Sequence, residues 1–241
     1  MTNLTSSSAA PGAVLRRTFL RVAGASAATV GLVLAGCSTD TPTPTTTLPT
    51  LSFGSGSGSA TDTQVLNYLF FIKQLEFAFY DKVVNAFPAD VSAAEQTYFR
   101  DLHDHELVQQ QSLANVLGTN ALVALAAQFD FSSLTLTTRA GVLAAAQKLE
   151  DTGSGAFLGI LPLTKSGTLF TFLSKMASVE ARHAALVRDL LTPGSFAGDD
   201  VLDTRSQVAG QALALTPTQV VAVLAPFLPA YTISISTLPT A

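Results

Sequence analysis

SVEARHAALV, residues 178–187, decides the reading of this chain. It contains no proline or glycine, and its alanines and leucine favour helix. Glu180 and His183 stand three residues apart in it, on one helical face. If that face turns inward, the carboxylate needs a partner, because an unpaired buried charge is strongly unfavourable. Walking outward in steps of four and three gives Leu169, Leu173, Met176, Glu180, His183, Val187 and Leu190. The other members of this seam are apolar, so the pair faces a core.

The same walk finds three more seams. Helices are predicted over about 62–86, 92–117, 138–160 and 167–191. Ser92-Ala93-Ala94-Glu95 makes a capping box, and Gly118, Pro162 and Pro193-Gly194 supply stops. Helix 1 presents Val65, Leu69, Ile72, Glu76, Phe79 and Val83. Helix 2 presents Phe99, Leu102, Glu106, Gln109, Leu113 and Val116. Helix 3 presents Leu143, Ala146, Glu150, Gly153, Phe157 and Ile160.

Each seam carries one glutamate near its middle, in a chain with only 12% charged residues. Glu76 and Glu106 are 30 residues apart, as are Glu150 and Glu180. A helical hairpin used twice, joined by a long 118–137 connection, accounts for that spacing. Four stacked carboxylates repel strongly at low dielectric. Either they share protons at raised pKa or they surround cations, and carboxylate oxygens with an imidazole suit iron or manganese.

Lone glutamates on helices 1 and 3, with a glutamate-led motif on helices 2 and 4, resemble the ferritin-like four-helix bundles. The expected fold is all-α, with a long crossover between helices 2 and 3. LEFAFYDKVV (75–84), LEDTGSGAFLG (149–159) and VEARHAALV (179–187) are similar to the ferritin-like domain of desiccation-related proteins of bacteria and plants. The resemblance implies two iron or manganese ions on Glu76, Glu106, Gln109, Glu150, Glu180 and His183, with Glu106 and Glu180 bridging. It also implies oxygen, peroxide or another small molecule as substrate. One position departs: Glu106-Leu107-Val108-Gln109 has glutamine where the pattern calls for histidine. Gln109 then ligates weakly through its carbonyl, or His103 leans in, or the second metal position is degraded. A non-enzymatic, stress-associated surface protein is the alternative reading.

Other residues near the seams have plainer readings. His103 and His105, in LHDHE, read as solvated, with His105 furthest from the seam. Tyr80 reads as a core aromatic whose hydroxyl is satisfied. Gly153, Gly155 and Gly159 signal close packing or an opening toward the site. Phe70, Phe71, Phe77, Phe170 and Phe172 read as core or helix-interface residues.

The N-terminus is a targeting segment. LRRTFLRVAGASAATVGLVLAGC (15–37) carries Arg16-Arg17 in a stretch that resembles the twin-arginine export motif. An apolar run over 22–35 follows, too short to span a bilayer, which needs about 20 residues. Leu34-Ala35-Gly36-Cys37 resembles a lipobox, which implies lipidation of Cys37. Residues 1–37 are therefore expected to be a bacterial lipoprotein signal, placing the protein outside the cytoplasm on a membrane anchor. Cys37 is the only cysteine, so the body has no disulfide.

Residues 38–61, rich in Thr, Pro, Ser and Gly, read as a tether. The bundle takes 62–192, and 193–241 is an extension packing on it, with a short helix from Thr216-Pro217 and an extended TISIS. The net charge is −4 and the body has no basic patch, which argues against a nucleic-acid partner. A monomer or small oligomer suits an anchored chain better than a closed shell.

Overall fold

The computed structural model describes residues 47–54, 62–205 and 209–239. The signal residues Arg16, Arg17 and Cys37 lie outside them. Four long helices carry the fold: α1 (Asp62–Asn85), α2 (Ala93–Leu117), α3 (Arg139–Ile160) and α4 (Gly167–Leu191). A short α5 (Pro217–Leu224) follows, and two three-residue strands, β1 (Thr50–Ser52) and β2 (Thr232–Ser234), pair in parallel. The fold is the expected all-α bundle. No helix among the described residues is long and apolar enough to cross a membrane.

Local chemistry sets the helix starts. The Ser92 hydroxyl accepts from Glu95 N, while Ser92 N donates to Glu95 Oε2 at 2.9 Å, completing the capping box. Thr138 and Ser166 cap α3 and α4 through their hydroxyls. The closest packing joins α1 to α2 and α3 to α4, the two expected hairpins. The connection after Leu117 runs as two single turns, Gly118–Asn120 and Ala126–Gln128, linked by extended chain.

Helix α1 is buried all round, with every residue from Gln64 to Glu76 inside. Its polar side chains therefore need internal partners. Two find them in the long connection. Asn67 donates to Asn120 O at 2.8 Å and accepts from Leu122 N at 2.9 Å, and Gln74 accepts from Leu125 N at 2.7 Å.

The seam residues are buried as expected, apart from Leu169 and Leu190, which are half-buried against the core, and there are two corrections. Val116 is 48% exposed and Leu117 takes the inward place. Phe170, beside the seam, is 46% exposed, whereas Phe70 and Phe71 are core. A third correction concerns the tether. Its described part, 47–54, is folded onto the body: β1 pairs with β2, Leu51 opposite Ile233, and Phe53 is fully buried. The tail crosses α3, where Leu215 N donates to Gly155 O at 2.9 Å. A Cβ at Gly159 would lie 1.9 Å from Leu215 O, so Gly155 and Gly159 serve that close crossing.

Candidate metal centre

The four glutamates meet midway along the bundle. Glu106, Glu150 and Glu180 are fully buried, Glu76 is 1% exposed, and His183 is 4% exposed. Two groups have ligand atoms within 4.8 Å of one another and can hold a metal ion: Glu106, Glu180 and His183, and Glu76, Glu150 and Glu180. His183 Nδ1 lies 3.0 Å from Glu106 Oε1, 3.6 Å from Glu150 Oε2 and 3.8 Å from Glu180 Oε1. Of these atoms, Nδ1, Glu106 Oε1 and Glu150 Oε2 are buried without a hydrogen-bond partner.

The periodic walk missed the sixth member of this cluster. Lys73, fully buried, extends its ammonium among the carboxylates. Nζ is 2.5 Å from Glu76 Oε2 and 2.7 Å from Glu106 Oε2, and it donates to Glu180 Oε2 as well. The Phe157 ring faces Nζ from 5.6 Å. The signal was present in the sequence: position 73 is four after Leu69 and three before Glu76, hence on the same face.

Polar neighbours orient the rest. The Tyr80 hydroxyl donates to Glu150 Oε1 at 2.6 Å, so it is both a satisfied core aromatic and part of the site's wall. Gln109 enters through its amide nitrogen, which donates to Glu180 Oε1 at 2.8 Å. As placed, its amide nitrogen is a donor to Glu180, while its carbonyl oxygen is buried without a hydrogen-bond partner. His103 does not lean in. Its ring rests 5.0 Å from Phe77, with Nδ1 2.9 Å from Asp104 and Nε2 3.6 Å from Asp81.

His105 does the opposite of what its exposed position suggests. Its Nδ1 is 3.1 Å from His183 Nε2, and the two ring planes are parallel within 2°. It occupies the outer nitrogen of His183 and leaves Nδ1 facing the carboxylates, the usual arrangement by which a second residue fixes a ligating imidazole. Gly153 makes room on the other side. A Cβ there would fall 2.2 Å from Glu76 Oε1 and 3.2 Å from Glu180 Oε2.

Burial drives the titration of the cluster, and neighbouring charges sort it. Burial, with repulsion from the other glutamates, pushes the Glu76 carboxyl well above its usual range, although Lys73 opposes this. Burial and repulsion from Glu106 also raise Glu180, to about 7. Glu106 is buried too, but Lys73 and His183 hold it down at about 2. Burial works against charge on His183, and the carboxylates of Glu106 and Glu150 outweigh it, raising the ring to about 10. For Lys73 burial is likewise outweighed, by Glu106 and Glu180 first, so its ammonium stays charged.

An all-α bundle with four inward carboxylates and an imidazole at mid-height is the layout of the ferritin-like four-helix bundles. The sequence profile described as "Ferritin-like domain" matches residues 61–193, more than half of the chain. The chain belongs to that ferritin-like family. Comparison with curated proteins gives no match.

Proposed function

We propose that this chain is an exported ferritin-like metalloprotein, anchored by a lipid on Cys37 to the outer side of a bacterial membrane. Glu106, Glu150, Glu180 and His183 would hold iron or manganese. One observation carries the metal reading. Three buried ligand atoms, Glu106 Oε1, Glu150 Oε2 and His183 Nδ1, converge with nothing but the ion contacts of Nδ1 to the two carboxylates, at 3.0 and 3.6 Å, to satisfy them. Buried polar groups are seldom left so, and a cation satisfies all three at once. The twin-arginine and lipobox strings support the export reading. The similarity of 75–84, 149–159 and 179–187 to desiccation-related proteins supports a role in stress.

When bound, such an ion would supply redox chemistry toward oxygen, peroxide or a small oxidisable molecule. The chain's own residues do the positioning. Tyr80 holds Glu150 Oε1 and turns Oε2 inward, Gln109 fixes Glu180, and His105 sets which nitrogen of His183 faces the site. A second reading has an observation of its own. Lys73 already neutralises part of the cluster, which suits a non-enzymatic stress-associated surface protein with a degenerate metal site.

Metal analysis separates the two readings. The full chain, purified with iron and manganese in the medium, should retain metal, and chelation should lower its melting temperature, because a ligand of the folded state alone stabilises that state. His183→Ala should lose the metal. A stably folded wild type that holds no metal and ignores chelators decides for the non-enzymatic protein. Independently, Cys37→Ala should move the chain out of the membrane fraction, and a variant that stays there refutes the anchor.

A further inference from the structure

The cluster has two cation positions, and the protein fills one of them itself. Glu106 and Glu180 each divide their oxygens between the two. Both Oε2 atoms bind the Lys73 ammonium, while both Oε1 atoms lie on the His183 side, 3.0 and 3.8 Å from Nδ1. They bridge, and one of the bridged cations is Nζ. We infer that Lys73 is a built-in second cation, so that this chain takes a single divalent metal ion, on the His183 side, where a pair would otherwise stand. The inference rests on reading the cluster as a metal centre.

Three features support it. An ammonium has three donors, and it meets three carboxylates, those of Glu76, Glu106 and Glu180. Two of these contacts are hydrogen bonds, to Glu106 and Glu180, and the third is an ion pair with Glu76 at 2.5 Å, so the ammonium is held from three sides. Next, Lys73 pairs with two members of the second candidate group, Glu76 and Glu180, whereas Glu150 keeps its free oxygen toward His183. A divalent ion in that group would have to displace the ammonium or share carboxylates with it against strong repulsion. Finally, the lysine stem comes from α1 where every residue from Gln64 to Glu76 is buried, and Lys73 itself is fully enclosed. The missing helix 2 histidine fits the same picture: with an ammonium in the second position, Gln109 serves as a donor to Glu180.

Metal stoichiometry tests this directly. The full chain is freed of metal, titrated with Mn²⁺ and analysed for bound manganese, beside Lys73→Ala and Lys73→Arg. Wild type and Lys73→Arg should bind one equivalent and Lys73→Ala two. Electron paramagnetic resonance of loaded wild type should show an isolated Mn²⁺ ion rather than an exchange-coupled pair, a readout that survives if a variant fails to fold. Two equivalents or a coupled pair in wild type overturns the inference and leaves the metal reading standing. A folded Lys73→Ala that still binds one equivalent does the same. No manganese in any folded form defeats both.

Discussion

At the scale of single residues, the centre is a problem of charge balance in a dry place. Four carboxyl groups face two cations, Lys73 and His183. Burial and mutual repulsion raise two of these carboxyls, Glu76 and Glu180. Glu106, touching both cations, is the one held ionised most firmly. Such a cluster tolerates little displacement, because most of its oxygens are either paired or aimed at the His183 side, and Glu76 Oε1 lies against Gly153. Gly153 is the sensitive neighbour. Gly153→Ala should cost about 1–3 kcal/mol by overpacking, since the new methyl meets Glu76 Oε1 at 2.2 Å in a helix that otherwise favours alanine. Chemical denaturation measures the loss. A variant as stable as wild type, or more so, would show that Glu76 has freedom to move.

At the scale of elements, one ion pair clamps three helix ends. Arg139, in the first turn of α3, donates to Glu95 Oε1 at 2.6 Å in the first turn of α2 and to Leu190 O at 2.8 Å near the end of α4. The Arg139 hydrogen bond foremost, with help from Ser92, holds Glu95 at about 2, below its usual 4.5. A depressed carboxylate contributes stability above its unfolded pKa and loses it as the group protonates in the folded state. Wild type should therefore exceed Glu95→Gln by a constant margin, about 1 kcal/mol, above pH 4.5, and the margin should close as pH falls toward 2. Melting curves across pH 2–7 on both proteins check this, and a margin independent of pH removes the ion pair from the account. The elements themselves were legible. Caps, stops and the alternating four-three walk locate the four long helices to within a residue or two, because the bundle is built on that period. The same period is why Lys73 and His105 escaped. Lys73 lies one place beside the walked positions, and of its three partners only Glu76 is on its own helix, the others coming from α2 and α4. His105 is exposed on its own helix, and only the position of α4 brings His183 to it. Contacts between helices are not written in the period of either one.

At the scale of the whole described body, the first and last described stretches pair with each other, and Phe53 beside them packs on α1. β1 comes from a stretch whose composition reads as tether, and β2 from the last residues described. Composition hides β1, because Leu51 and Phe53 are two buried residues in a run of Thr, Pro, Ser and Gly that lowers every windowed average. Their alternation is the short strand's whole signal. Phe53 seats its ring 5.5 Å from Tyr68, edge to face, and 5.9 Å from Phe71, both on α1. The segment thus helps to cover the Tyr68–Phe71 face of the helix that also carries Lys73 and Glu76. If this is right, Phe53→Ala should cost about 3–5 kcal/mol, as for a fully enclosed phenylalanine, although the residue precedes the bundle in sequence. Urea unfolding of the full chain is the measurement. A change below about 0.5 kcal/mol, the ordinary range for surface positions, would return residues 47–54 to the tether and leave α1 to be covered by α2, α3 and the long connection alone.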